Sequence, residues 1–336
     1  MGKKIFDFVI GNPPYQGDRQ GASNTALPVY HDFMDGAIEC SSTTELITPA
    51  RFLFNAGRTP KEWNQKMLND EHFKVLSYEN DASKVFPGTD IKGGVAVTYH
   101  SDNKKFDPIE VFTMFPEMNS LLGKVKPYLK GGTFSSLGFV ATKFNTSNLF
   151  LDYPKYDGHE RRMSSNVLSF DCFHKDPEEK DVMIYGVLNG KRSKGYINRK
   201  YVDLTDKNIA LWKIVTPKAD GNGAFGDTLT NPEILPPDSG FTHTFLGIGG
   251  FDHEGEAVNA LKYMECKLTR ALLDVLKVTQ DLNAEKWKYV PIQNFATSSD
   301  IDWSRSIHDI DLQLYRKYNL DEKEIEFIES HVKEMA

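Results

Sequence analysis

The sequence predicts an α/β fold over roughly its first 105 residues, followed by a mixed α+β region from about 106 to 336. Two observations carry this. Strand-like and helical periodicities alternate up to about residue 100, the pattern of a sheet with parallel pairs. Beyond about 106 prolines and glycines come often, and short strand-like pieces replace that alternation. The 336 residues allow about two domains and a sizeable core.

Taken in order, FDFVIG (6–11) reads as a first strand, and a polar loop GDRQGASNTALP follows the segment after it. VYHDFMDGAIEC (29–40) places Val29, Phe33 and Ala37 at helical spacing. TTELITP is a second strand closed by Pro49, and PKEWNQKMLN a helix with Pro60 at its first position. FKVLSYEN and GGVAVTYH (93–100) are the third and fourth strands. A boundary is expected near 105–130, with PYLKGG (127–132) as the joint. SSLGFVAT, VMIYGVLNG, KGYINRKYV, ALWKIVT and THTFLGIGG supply the later strands. Residues 254–278 read as one helix with a stripe of Leu261, Met264, Leu268, Leu272 and Val275, capped by Asp252. DEKEIEFIESHVKEM is a final amphipathic helix.

Composition excludes several classes. At 40% hydrophobic and 26% charged residues the chain is neither low-complexity nor membrane-spanning. MGKKIFDF lacks the apolar stretch of a signal peptide. Three scattered cysteines suit a reducing cytoplasm. Neither CxxC nor HExxH occurs, so no metal is expected, and the close pair Cys172 and His174 reads as packing. The net charge of −7 argues against nonspecific coating of nucleic acid. KRSKGYINRK (191–200) is the local exception: Lys191, Arg192, Lys194, Arg199 and Lys200 lie among Tyr196 and Tyr201. That pattern fits a phosphate contact or a solvated hairpin equally well.

The sharpest feature is Asn12-Pro13-Pro14-Tyr15, directly after the first strand. Pro13 forces Asn12 out of the helical region, and the two prolines stiffen the loop while removing two N–H donors. The Asn12 side-chain oxygen and the Pro13 carbonyl remain as fixed acceptors, suited to gripping both hydrogens of a planar NH₂ group. Tyr15 offers a flat face for the ring carrying that amine. Such a site works by positioning and needs no strong base. The plain alternative is a stiff turn after a strand. The carboxyl end of a parallel-type strand, where α/β sheets place their ligands, favours the functional reading.

FDFVIGNPPY closely resembles the catalytic motif of S-adenosylmethionine-dependent amino-methyltransferases, above all the N6-adenine DNA methyltransferases of type II restriction–modification systems. TELITPARFLFNAGRTPKEWNQKML is similar to the strand and helix that follow there, with Pro49, Arg51, Phe52 and Gly57 on the family's Pro-x-Arg-aromatic and glycine positions. SKVFPGTDIKGGVAVTYH resembles the later motif, which puts the base-stacking aromatic at Phe86, ahead of Gly93 and Gly94. The resemblance implies a partial Rossmann-like methyltransferase sheet in which Asn12 and Pro13 accept from an adenine amine. Tyr15 and Phe86 would then sandwich the base, extruded from double-stranded DNA. The C-terminal part, from NIALWKIVTPKADGNG onward, is similar to the target-recognition domain of these enzymes. That implies DNA contacts by Lys191, Arg192, Lys194, Arg199 and Lys200.

The family's cofactor half normally precedes this motif and needs about 90 residues; eleven lie upstream of Asn12. The one glycine-rich candidate, Gly247, Gly249 and Gly250 before the 254–278 helix, lacks a second strand with an acidic end. The expectation is therefore a catalytic-motif half (1–105) and a recognition domain (106–336) that do not methylate DNA unaided. A further polypeptide would supply the S-adenosylmethionine site. Rival readings are a protein-glutamine or RNA amino-methyltransferase and a non-catalytic DNA-recognition subunit. A nuclease at Glu178-Glu179-Lys180 or Glu265-Cys266-Lys267 has little support, and a GxSxG hydrolase has none.

Overall fold

A computed structural model describes residues 4–17, 27–55, 58–89, 91–221, 223–277 and 279–335. They form two compact units, Met1–Asn119 and Ser120–Ala336. Gly57 and most of the polar loop after Gln16 lie outside the described residues.

The first unit is built from β1 (Phe6–Gly11), α1 (Tyr30–Cys40), β2 (Ser41–Pro49), α2 (Lys61–Leu68), β3 (Phe73–Glu79) and β4 (Val95–Ser101). The strands form one sheet in the order β1-β2-β4-β3. Only β1 and β2 are parallel; β4 runs antiparallel to both β2 and β3. The parallel pairing expected of the alternation therefore holds for one pair of the three. Tyr30, Met34, Leu46, Phe52, Trp63, Met67 and Phe73 make the core, with Val9 packed against it.

The structure departs from two local expectations. The inward face of α1 is Tyr30 and Met34, and Phe33 points to solvent. Both sets share the i, i+4 spacing, and the Tyr30 ring, packed 6.2 Å from Phe52, decides between them. Pro60 is the residue before α2 rather than its first helical residue, with ψ at 131°.

In the second unit, α3 (Pro116–Leu129) leads in from the first. β5 (Gly138–Phe139), α4 (Thr146–Asp152), β6 (Phe173–His174), β7 (Asp181–Leu188), β8 (Lys191–Asn198), β9 (Trp212–Pro217), β10 (Glu233–Leu235), β11 (Ser239–Phe241) and β12 (Phe245–Phe251) follow. They make two four-stranded sheets, β10-β9-β12-β5 and β11-β7-β8-β6. Tyr185 and Phe241 of one meet Val215, Leu235 and Phe245 of the other in a common apolar cluster. Cys172 is buried in a neighbouring cluster.

The region read as one helix is two, α5 (Glu254–Glu265) and α6 (Lys267–Asp274), followed by α7 (Ile307–Lys317) and α8 (Glu322–His331). The break sits at Cys266, which is extended at φ −57°, ψ 141°. Asp311 of α7 makes the break tolerable: its carboxylate accepts from the Lys267 and Leu268 N–H groups at 2.8 and 3.0 Å, capping α6 from another helix. The residue before α5 is His253, not Asp252, and it makes no side-chain cap. Among the described residues no helix is long and apolar enough to cross a membrane.

α6 ends on a buried carboxylate with a testable consequence. Asp274 accepts from the Gly226 N–H at 2.7 Å, yet burial pushes its pKa up to about 7, with Lys277 and Arg270 opposing. The folded chain thus holds this proton more tightly than the unfolded chain, whose ordinary value is 3.8. The stabilisation is complete below about pH 4 and is lost as pH rises through about 7. Urea unfolding at pH 5 and pH 8 should show wild type losing on the order of 2 kcal/mol relative to Asp274→Asn across that interval. Parallel pH profiles for the two proteins would refute it.

Candidate active site

Four residues after the sheet's first strand set the site. β1 pairs with β2 from Phe6↔Ser41 to Gly11↔Leu46, and the chain leaves the sheet at Asn12. Asn12 and Pro14 are exposed, Pro13 and Tyr15 half-buried. The Asn12 amide makes no side-chain hydrogen bond among the described residues, so its oxygen is free to accept. The loop is closed behind it, where the Gly17 N–H donates to the Leu27 carbonyl and the Val29 N–H to the Tyr15 carbonyl.

Tyr15 faces two ways. Its ring packs against the core of the first unit, and its hydroxyl is buried with no partner among the described residues. Burial raises its pKa, so the phenol stays neutral. Phe86 stands opposite, with ring centroids 6.5 Å apart and planes at 71°. The two sequence-derived aromatics do converge, but edge to face. A flat ring enters between them only after one turns.

The segment holding Phe86 is built locally. The Asp81 carboxylate accepts from the Ser83 N–H at 3.1 Å and caps a single turn over Ala82–Lys84. Phe86 N–H then donates to the Ala82 carbonyl at 2.8 Å, and Thr89 returns two hydrogen bonds to the Phe86 carbonyl. Asp-x-Ser before a short turn is a capping pattern, so Asp81 is a residue of this segment that the sequence signals. Gly93 and Gly94 follow at φ 84° and 75° and return the chain to β4. Of the remaining motif positions, Phe52 is fully buried in the core, Pro49 ends β2, and Arg51 is exposed with its stem against Gly93.

The five basic residues share one hairpin and its exit. Asn189 and Gly190, at φ 52° and 74°, form its two-residue turn between β7 and β8, the primed geometry that matches strand twist. Three of the charges are already engaged. Arg192 donates to Glu233 and to the Asn231 and Thr230 carbonyls, Arg199 pairs with Asp238, and Lys200 bonds Asp152 at 2.7 Å. Lys191 and Lys194 are exposed and have no ion-pair partner among the described residues.

The glycine-rich run does not form a cofactor loop. Gly247 lies inside β12, where a Cβ would stand 2.6 Å from the Phe139 and Phe241 rings. A Cβ at Gly249 would meet the Phe251 ring and one at Gly250 the Leu211 side chain. The run is packed against protein on all three glycines, so the residues present do not fit the nucleoside and sulfonium of S-adenosylmethionine. Glu265-Cys266-Lys267 is the α5–α6 joint with Cys266 fully buried, and Glu178-Glu179-Lys180 is an exposed turn.

Comparison with known proteins bears on the same stretch. Residues 1–86 match the Eco57I restriction-modification methylase family. An uncharacterised adenine-specific methylase of Mycoplasma pneumoniae is 30% identical over 106 residues, which are 31% of this chain and 25% of that protein. The aligned part thus spans about a quarter of the relative's length. The family match runs from the first strand to Phe86, about a quarter of the 336 residues, and takes in the Asn12–Tyr15 loop.

Proposed function

We propose that this chain is the base-holding and target-recognition part of a site-specific N6-adenine DNA methyltransferase. The observation that carries the reading is the free Asn12 amide at the carboxyl end of a parallel strand, followed by a ring that meets Phe86. The Asn12 oxygen and the Pro13 carbonyl accept the two amine hydrogens of an extruded adenine. Their pull favours a pyramidal nitrogen with an available lone pair, and no side-chain base is involved. Tyr15 and Phe86 rotate from edge-to-face to a slot that stacks the base on both sides.

The methyl group comes from S-adenosylmethionine held by protein other than the residues described here. Support for such a further segment lies in β1. Its outer edge pairs with no strand among the described residues, and Phe6, Phe8 and Ile10, on the face opposite Val9, are 54%, 68% and 77% exposed. Strands of parallel pairs are ordinarily covered on both faces. The second unit reads double-stranded DNA, with Lys191 and Lys194 contacting phosphates while Arg192, Arg199 and Lys200 hold the hairpin in shape. The protein works in the cytoplasm, where its substrate lies.

The test uses the tagged chain recovered from its own cells with whatever completes it. Labelled S-adenosylmethionine and bacterial DNA should yield N6-methyladenine on nucleoside digestion. Label on cytosine, on protein alone, or nowhere would sink the reading. Phe86→Ala should weaken capture of a 2-aminopurine-substituted site about tenfold, as loss of one stacking face requires; fluorescence enhancement equal to wild type would remove Phe86 from the site.

A further inference from the structure

The turn between β6 and β7 carries HKDPEEKD (174–181), with four carboxylates against two lysines. Within it His174, Glu178 and Asp181 each bring one ligand atom to within 4.8 Å of the others. Two are placed by the sheet: His174 ends β6 and Asp181 begins β7, while β8 lies between those strands. Glu178 is placed by the turn itself, whose carbonyl accepts from the Asp181 N–H at 3.1 Å.

Asp181 carries an unexplained group. Its side chain is 3% exposed. One carboxylate oxygen, Oδ2, meets His174 Nε2 and accepts from the Glu178 N–H at 2.7 Å. The other, Oδ1, is buried and has no partner among the described residues. A local His–Asp pair closing a turn accounts for Oδ2 and leaves Oδ1 unsatisfied, a cost of about 1–3 kcal/mol for a buried acceptor. Unpaired buried oxygens of this kind mark the place of an ion or water.

We propose that His174, Glu178 and Asp181 form a binding site for a first-row divalent cation of zinc's class. One imidazole nitrogen and two carboxylate oxygens suit such an ion better than magnesium, which takes oxygen ligands throughout. The buried Asp181 carboxylate supplies the fixed ligand. His174 donates its Nε2–H to Asp181 in the empty site, and on binding it releases that proton, keeps a hydrogen on Nδ1 and gives the Nε2 lone pair to the metal, while exposed Glu178 closes over it. Water completes the shell on the open side. Bound there, the ion ties β6 to β7 across β8 and fixes the turn at the root of the basic hairpin. His174, which the sequence sets beside Cys172, thus has its partners four and seven residues downstream, and Cys172 stays in the core.

The experiment is calorimetric titration of the full chain with zinc chloride, alongside His174→Ala and Glu178→Gln. Wild type should bind one equivalent saturably, and both variants at least about tenfold more weakly. Glu178→Gln is an exposed, shape-conserving change whose backbone N–H still reaches Asp181, so its loss of binding is not a loss of fold. Cobalt substitution gives an independent reading: a visible ligand-field band in wild type, absent from both variants. No saturable zinc binding by wild type, or variants that bind as wild type does, would overturn the proposal. Binding equal in all three proteins would place the zinc elsewhere, on half-exposed Cys40 or another histidine, and would also refute this site.

Discussion

Replacing Asn12 by alanine should lower the rate of methyl transfer about 10³-fold while DNA affinity stays within about threefold. The asymmetry follows from what the side chain touches. Asn12 is exposed and makes no side-chain hydrogen bond among the described residues, so its removal costs the fold little, within about 0.5 kcal/mol. In the proposed mechanism its oxygen acts only where positive charge develops on the adenine nitrogen, and one preorganised polar group of that kind carries about 10²–10³ in rate. Binding in the ground state rests on phosphate contacts and stacking, which the substitution leaves alone. Asn12→Asp keeps an acceptor in place and should retain more activity than Asn12→Ala. Single-turnover assays on the assembly recovered from its own cells separate transfer from binding. A drop of less than tenfold for Asn12→Ala would mean that something else holds the amine.

Gly94→Ala should unfold the first unit at a temperature about 10 °C or more below wild type. At φ 75° the backbone is in the left-handed region, which costs alanine about 1–2 kcal/mol. Space is the greater obstacle. A Cβ at Gly94 would lie 2.2 Å from the Glu79 carbonyl oxygen and 2.8 Å from the Asn80 Cα, and a backbone cannot rotate aside as a side chain can. Gly94 is pinned from both directions as well: its N–H donates to Ile91 and its carbonyl accepts from the Ala50 N–H, each at 3.0 Å. Relief therefore means parting the end of β3 from the start of β4, for a total of about 3 kcal/mol or more. Gly88→Ala is the control, since Gly88 has φ 79° and open space around it. It should lose only the conformational part. Calorimetry that finds the two variants alike would show that contact at Gly94 is not the constraint.

These two residues mark what was legible in the sequence. The Asn-Pro-Pro-Tyr loop was legible as a stiff, donor-poor exit from β1, because the residue types themselves fix the donors removed and the acceptors left. Strand positions were legible wherever β-branched runs met prolines or glycines, as in β2, β4, β7 and β12. Pairing direction was not: β4 joins antiparallel to β2 and β3, and no period within a strand encodes its neighbour's direction. Phe33 against Tyr30 and Met34 shows the same limit, since two stripes with one spacing differ only in what they meet. Cys266 is a third case. Its break depends on Asp311, 45 residues away in sequence, and a local pattern cannot report a cap that arrives from another helix. At the site, the sequence paired Tyr15 with Phe86 by resemblance but held nothing about their 71° angle. Nor did it show that Glu233, Asp238 and Asp152 already engage three of the five basic side chains.

The bare edge of β1 has a consequence for the protein's life in a cell. Phe6, Phe8 and Ile10 face solvent beside a row of backbone amides that pairs with no strand among the described residues, the combination that quality control recognises and that other strands adhere to. If the proposed further segment covers that edge, copies made without it should be clients of chaperones and proteases. The cover would then set how much of this protein persists, and supply of one polypeptide surface would ration the other with no dedicated regulator.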